Sequence, residues 1–277
     1  MSIIQAIVLG IVQGLTEFIP ISSTAHLRIV PALLGWEDPG AAASAVIQIG
    51  TLLAVLIYFR DDLLKMTKEF FSGIVRRKPF ENHYSRLAWF IGFATIPIGV
   101  VGLAFKDFIE TTARSLWIVS FALIALALVL LVAERMAARR ESLRTEDDIR
   151  FADAMWIGLG QTLALIPGVS RSGSTITAGL FRGLSHAAAA RFSFLMSVPA
   201  IGASGLFELL AEWNHLAELG WGSVIVAVVA AFFSGWASIW FLIRYLQKHT
   251  TNVFIYYRIA LGILIMALLS SGWLTAY

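Results

Sequence analysis

An all-α polytopic membrane protein is the fold class this sequence predicts, with two inverted repeats, each a re-entrant helical hairpin plus three transmembrane helices. Three observations lead there. Hydrophobic residues fill 58% of the 277 positions and charged residues only 14%, whereas a soluble domain carries about a quarter charged. The apolar surplus comes in runs such as "SLWIVSFALIALALVLLVAE" and "GSVIVAVVAAFFSGWASIWFLI". Each is long enough for the roughly 20 residues that a bilayer span needs. Lys and Arg crowd some loops and avoid others, the pattern that sets membrane sidedness. No polar stretch is long enough to enclose its own core, so no soluble domain is expected.

The first apolar region, 3–34, is interrupted by the polar stretch "EFIPISSTAH". Its start, "MSIIQAIVLGIVQG", lacks the basic opening and the A-x-A site of a signal peptide, and is expected to stay in the mature protein. Continuous spans follow at 41–59, 87–105 and 116–133. A second interrupted region, 154–180, precedes spans at 192–210, 224–242 and 253–274.

Sidedness decides what the interrupted regions do. Arg60, Lys65, Lys68, Arg76, Arg77, Lys78 and Arg86 crowd one loop, and Arg135, Arg139, Arg140, Arg144 and Arg150 another. Arg182 and Arg191 flank a third, Arg244 and Lys248 a fourth, while "AEWNHLAELGWG" has no Lys or Arg. Positive loops stay cytoplasmic, so the chain crosses an odd number of times between Arg150 and Glu212. Two apolar regions lie in that interval, so one must turn back. The interrupted region 154–180 is the candidate, and Arg182 then stays cytoplasmic. Irregular backbone at membrane depth is tolerated only where protein or water surrounds it. Trp36, Trp117, Trp213, Trp221 and Trp273 then fall near the outer interface.

The two halves echo each other. "LGIVQGLTEFIPISSTAH" resembles "IGLGQTLALIPGVSRSGST". Gly10 and Gln13 match Gly158 and Gln161, and Pro20 matches Pro167 after a one-residue slip. The expected division is repeat one at 1–134, a cytoplasmic linker at 135–152 and repeat two at 153–277. Three crossings per half invert the second half, and such repeats place the ligand site where they meet. Both termini and the base of the first hairpin then face outward, while the second hairpin enters from the cytoplasm.

Ionisable residues at membrane depth are expensive and point to function. Glu17 follows Gln13 by one helical turn, so both share a face. A carboxylate there binds a divalent cation or accepts a proton, or else pairs with a structural Arg. Pro20 breaks the helix, and Ser22, Ser23 and Thr24 suit the cap of the next one. A helix N-terminus inside the membrane is an anion site. A serine is a weak nucleophile without a base, and His26 is near enough in sequence to supply one; the opposing reading is backbone bonding by hydroxyls. In "PGVSRSGST", Pro167 and Gly168 break the helix, Ser170 caps, and Arg171 offers a planar donor fork suited to phosphate. Ser172, Gly173, Ser174 and Thr175 add donors and close backbone approach. Gln13 and Gln161 suit either a helix bridge or the site.

The set matches phosphate chemistry on a molecule reached from the membrane. Walker, dinucleotide and H-E-x-x-H patterns are absent from the sequence. Cysteine is absent too, which excludes disulfides and thiolate metal sites. The net charge of +3 is read as orientation, not nucleic-acid binding.

On "QGLTEFIPISSTAH" and "PGVSRSGST", the chain resembles the undecaprenyl-diphosphate phosphatases, also called bacitracin-resistance proteins. The resemblance covers essentially the whole chain. It implies a polyprenyl-diphosphate phosphatase, a phosphoric anhydride hydrolase of the bacterial plasma membrane. The product is the monophosphate carrier of cell-wall synthesis, and the active site faces the periplasm or exterior. It implies Ser23 as nucleophile, with Thr24 as the alternative, and His26 as general base or acid. Glu17 and Gln13 become the motif for Mg2+ or Ca2+. Arg171 becomes the phosphate clamp, helped by Ser170, Ser172 and Thr175, with Ser22 and Ser174 beside them. Many members carry Glu where this chain has Gln13, which removes one charge from any metal site. The lipid diphosphate and the bilayer are the expected partners, a homodimer is left open, and a lipid-phosphate transporter or flippase is the alternative function. A purely structural or immunity-type membrane protein is a third reading.

Overall fold

The computed structural model describes residues 1–38 and 40–276, without the side chains of Glu110, Asn214 and His215. The expected end of repeat two, at 277, lies outside the described residues. Among the described residues the ordered elements are helical, apart from one isolated bridge between Arg144 and Leu184.

The first interrupted region forms two short helices, α1 (Ile3–Phe18) and α2 (Ser23–Leu34). Ser2 caps α1 through a reciprocal pair of bonds with Gln5. The helix stops at Ile19 because the residue before a proline avoids helical dihedrals. Ser22 caps α2, and Gly35, at φ 67°, closes it in the left-handed region. At 1.5 Å per residue, the 12 residues of α2 reach about 18 Å, short of the roughly 30 Å apolar core. The second interrupted region repeats the design with α8 (Phe151–Thr162) and α9 (Arg171–Phe181), of 12 and 11 residues. Neither arm of that hairpin can cross alone.

Among the described residues, six helices are long and apolar enough to cross: α3 (Gly40–Tyr58), α5 (His83–Ala104), α7 (Leu116–Ala138), α10 (His186–Ala211), α12 (Trp221–Leu246) and α13 (Asn252–Ser270). Each overlaps a span expected from sequence. Their exposed faces carry large apolar side chains, among them Val100, Leu103, Phe121, Ile225 and Phe233, as lipid contact requires. The basic segment before α5, where loop charge alone predicts a loop, is a helix, α4 (Arg60–Val75). It buries Met66 and Gly73 while exposing Leu64, Phe71 and Val75, the profile of a helix lying in the interface. Two short helices, α6 (Lys106–Glu110) and α11 (Trp213–Leu219), complete the set.

Packing between the halves is reciprocal. The first arm of each hairpin lies along a spanning helix of the other half, α1 on α12 and α8 on α5. The matched glycines explain both contacts. A Cβ on Gly10 would sit 2.3 Å from the Ala227 carbonyl oxygen, and one on Gly158 would sit 2.3 Å from that of Ala94. Only glycine permits approach this close. α3 packs on α10 and α12, and α7 on α13. An edge-on contact of Phe18 with Phe194, at 5.1 Å between ring centres, fixes the end of α1 against α10.

Candidate active site

The two hairpin tips share one local build. Ser22 and Ser170 hold φ of 76° and 73°, a region that costs a non-glycine residue about 1–3 kcal/mol and clusters at functional sites. The hydroxyl of Ser22 accepts the Ala25 amide at 3.3 Å, and that of Ser170 accepts the Gly173 amide at 3.1 Å. Each serine also pairs with the hydroxyl two residues on, Thr24 or Ser172, at 3.2 Å. The Ser172 hydroxyl donates to the Ile19 carbonyl at 3.3 Å, tying one tip to the other.

Arg258 of α13 sits between the tips, fully buried. Its Nη1 donates to Pro20 O at 3.1 Å, and its Nη2 to Gly168 O at 2.9 Å and Val169 O at 3.0 Å. Its Nε donates to Leu123 O of α7 at 3.1 Å. Carbonyl dipoles compensate the charge, and in exchange the guanidinium sets the separation of the two tips.

Glu17 is where the halves meet chemically. One carboxylate oxygen accepts the Ser23 hydroxyl at 2.6 Å and the Gln13 amide at 2.8 Å. The other accepts Arg171 Nη2 at 3.1 Å. Arg171 Nη1 also donates to Ser193 O on α10, at 3.2 Å, and its Nε is buried with no partner. The Ser193 hydroxyl bonds that of Thr175 at 2.6 Å, and Thr175 also donates to the Arg171 carbonyl at 2.7 Å. Ser174 donates to that carbonyl too, at 3.0 Å. The buried ion pair is therefore held at both ends.

Glu17, Gln13, Ser23 and Arg171 thus come together, as the sequence suggested, but His26 does not join Ser23. His26 Nδ1 lies 2.7 Å from the Ser22 carbonyl and Nε2 lies 2.7 Å from the Tyr257 hydroxyl. A carbonyl only accepts, so Nδ1 carries the hydrogen, and in the neutral ring Nε2 accepts from Tyr257. Helix geometry explains the difference: three residues on from Ser23, the imidazole returns to the tip backbone and not to the serine hydroxyl. Ser23 finds its acceptor in Glu17. Gln161 also stands apart, with both side-chain polar atoms buried and without partners. Sequence reasoning missed Arg258, Tyr257 and Ser193. The signal for the first two was "YYR" inside an apolar run.

Among the described residues, no group of three or more His, Cys, Asp or Glu forms a metal cage. Gln13 Oε1 is nevertheless buried without a partner, on a side chain bonded to Glu17. Magnesium often takes one or two carboxylates and completes its shell with substrate phosphates. The residues fit a divalent cation of that kind, not an all-protein site.

A family model described as bacitracin resistance protein BacA matches residues 6–264. A protein of Chloroherpeton thalassium is 56% identical, with 100% of each chain covered. One from Myxococcus xanthus is 53% identical, covering 99% of this chain and 92% of its own. One from Chlorobium phaeobacteroides is 53% identical, with 100% of each covered. All three carry the name undecaprenyl-diphosphatase.

Proposed function

Because the chain belongs to the bacitracin resistance protein BacA family, we propose that the Glu17–Ser23–Arg171 cluster is its phosphatase centre. The protein is a multi-pass membrane phosphatase that converts undecaprenyl diphosphate into undecaprenyl phosphate and inorganic phosphate. The carrying observation is the shared carboxylate: Glu17 holds the Ser23 hydroxyl on one oxygen and the Arg171 guanidinium on the other.

In this reading the terminal phosphate draws Arg171 from Glu17, which frees the carboxylate as a base. The Ser23 oxygen bonds to the terminal phosphorus, its proton moves to Glu17, and the anhydride P–O bond breaks. Lipid monophosphate leaves, and water then hydrolyses the phosphoserine. General-base help is worth about 10²–10⁴-fold, and a positioned donor facing developing charge about 10²–10³-fold. The α2 and α9 N-termini, at tips tied through Ser172 and Ile19, offer amides and dipole ends suited to phosphate. Arg171 is the phosphate clamp, Ser174 and Thr175 brace it through its carbonyl, and Ser22, Thr24, Ser170 and Ser172 shape the two tips beside it. His26 keeps the Ser22 carbonyl fixed, and releasing Tyr257 would free Nε2 for the water step. A magnesium or calcium ion, held by Glu17 and Gln13, supplies further neutralisation of phosphate charge when bound.

The finer reading is a phosphoric anhydride hydrolase in the bacterial inner membrane, its site opening to the periplasm or exterior, recycling the carrier for wall synthesis. Two inverted repeats, at 1–134 and 153–277 around a cytoplasmic linker, account for the reciprocal packing of α1 on α12 and α8 on α5. A homodimer is compatible with this arrangement.

The test is phosphate release from detergent-solubilised undecaprenyl diphosphate. Wild type is expected to release phosphate, and Arg171→Ala to lose about 10²–10³-fold. A transporter would bind the lipid and release none. Full activity in Arg171→Ala would remove the cluster from the mechanism.

A further inference from the structure

We propose that Arg28, with Arg114, forms an outer anion site for a phosphate group travelling to or from the Glu17–Ser23–Arg171 cluster; this deepens the phosphatase reading and rests on it. Arg28 lies on α2 one turn beyond Thr24, so the two share a helix face. Their Cα atoms are separated by about 6 Å of helix rise. Helical side chains lean toward the N-terminus of their own helix, and for α2 that end is the hairpin tip. Thr24 is the least buried of the tip hydroxyls on α2.

The charge pattern is unbalanced. The Arg28 side chain is only 10% exposed, yet it makes no hydrogen bond to any described residue. Its nearest carboxylate oxygen, on Asp38, is 3.6 Å from Nε, beyond hydrogen-bond reach. Asp38 is already satisfied without it. Arg114 Nη2 donates to both Asp38 oxygens at 2.7 Å, and the Gly40 amide donates to Oδ1 at 3.1 Å. Two guanidinium groups therefore share one carboxylate. None of the Arg28 nitrogens is among the buried side-chain atoms without a partner, so the guanidinium is open at the surface, and a phosphate oxygen supplies the acceptors it lacks. Its planar fork matches that ligand better than an ammonium would.

The competing reading makes Arg28 a tie that holds the Asp38 loop. The two readings differ in sign. For a tie, Arg28→Gln and Asp38→Asn both loosen the fold and act alike. For an anion site they oppose each other: Arg28→Gln weakens anion binding, while Asp38→Asn, removing the competing carboxylate, strengthens it.

Calorimetric titration of the full-length protein in detergent with inorganic diphosphate separates them. The Arg171→Ala background removes the inner contribution. Arg28→Gln is expected to weaken binding about tenfold or more, the size of a lost charged hydrogen bond, with Arg28→Lys intermediate and Asp38→Asn tighter. Two kinetic arms identify the source of the phosphate. A KM for lipid diphosphate that rises more than kcat falls marks the lipid headgroup. Weaker product inhibition by inorganic phosphate, with KM unmoved, marks the released ion. Diphosphate affinity unmoved by Arg28→Gln, or moved the same way by Asp38→Asn, overturns the proposal. Failure of wild type to hydrolyse the lipid would instead sink the phosphatase reading, since the titration needs no turnover.

Discussion

Ser23 and Thr24 are adjacent hydroxyls with different partners, and that difference predicts different behaviour. Ser23 donates to the Glu17 carboxylate at 2.6 Å, whereas the Thr24 hydroxyl pairs with that of Ser22 at 3.2 Å. Ser23→Ala is expected to lower phosphate release by about 10³-fold or more, since it removes the nucleophile and strands its base. Thr24→Ala is expected to cost less than about tenfold, a single neutral hydrogen bond at most. Steady-state assays of the two variants side by side check this, and equal losses would remove the assignment. Glu17, Ser23, His26 and Arg171 were all legible in the sequence, because polar residues in an apolar run have few innocent explanations. What those residues bond to was not legible. His26 was expected to serve Ser23, but its ring turns to the Ser22 carbonyl and Tyr257. Arg258 carried the same signal, a charge inside an apolar run. Its purpose appears only when two tips, far apart in sequence, present carbonyls to it.

Among the elements, the spanning helices and both interrupted regions follow from hydropathy and loop charge. The in-plane helix α4 does not, because its basic residues announce a cytoplasmic loop and mask a helical apolar face. The matched glycines are the firmest link from sequence repeat to packing. Gly10 and Gly158 were paired by sequence alone, and each meets a backbone carbonyl that a Cβ would approach to 2.3 Å. Backbone cannot yield as a side-chain tip can. Gly158→Ala is therefore expected to destabilise by about 1–3 kcal/mol or more, the usual cost of overpacking. Gly92→Ala on α5 is the control, since no atom lies within 4 Å of its added Cβ. Helix propensity there favours alanine by roughly 0.5–1 kcal/mol. Thermal unfolding in detergent should lower the midpoint for the first variant and hold or raise it for the second. Matching losses would show that the close approach does not set the helix pair.

At the scale of the whole molecule, Arg258 and Glu17 join the two tips, and Asp153 fixes the base of the second hairpin. Asp153 opens α8 with its side chain fully buried, accepting Arg144 Nη1 at 2.9 Å and Arg182 Nε at 2.6 Å. Arg144 lies in the linker between α7 and α8 and also pairs its backbone with Gly183 and Ser185. One carboxylate thereby ties the linker to both arms of the second hairpin, the hairpin that carries Arg171. Burial alone would push the Asp153 carboxyl up, but bonds from Arg144, Arg182 and the Arg150 amide outweigh it and hold it below the usual 3.8. A depressed carboxylate stabilises the fold fully above its unfolded value, and that contribution fades as pH falls through the lower folded value. Asp153→Asn is expected to lose about 1–3 kcal/mol near neutral pH, with two guanidiniums left short of a charged acceptor. As pH falls from about 3.8 through the lower folded value, the wild-type carboxylate takes up a proton, so the gap in melting temperature between the two proteins should narrow and close. Other carboxylates titrate in both and cancel from the difference. A gap that stayed constant through that window would mean the clamp acts by shape and not by charge.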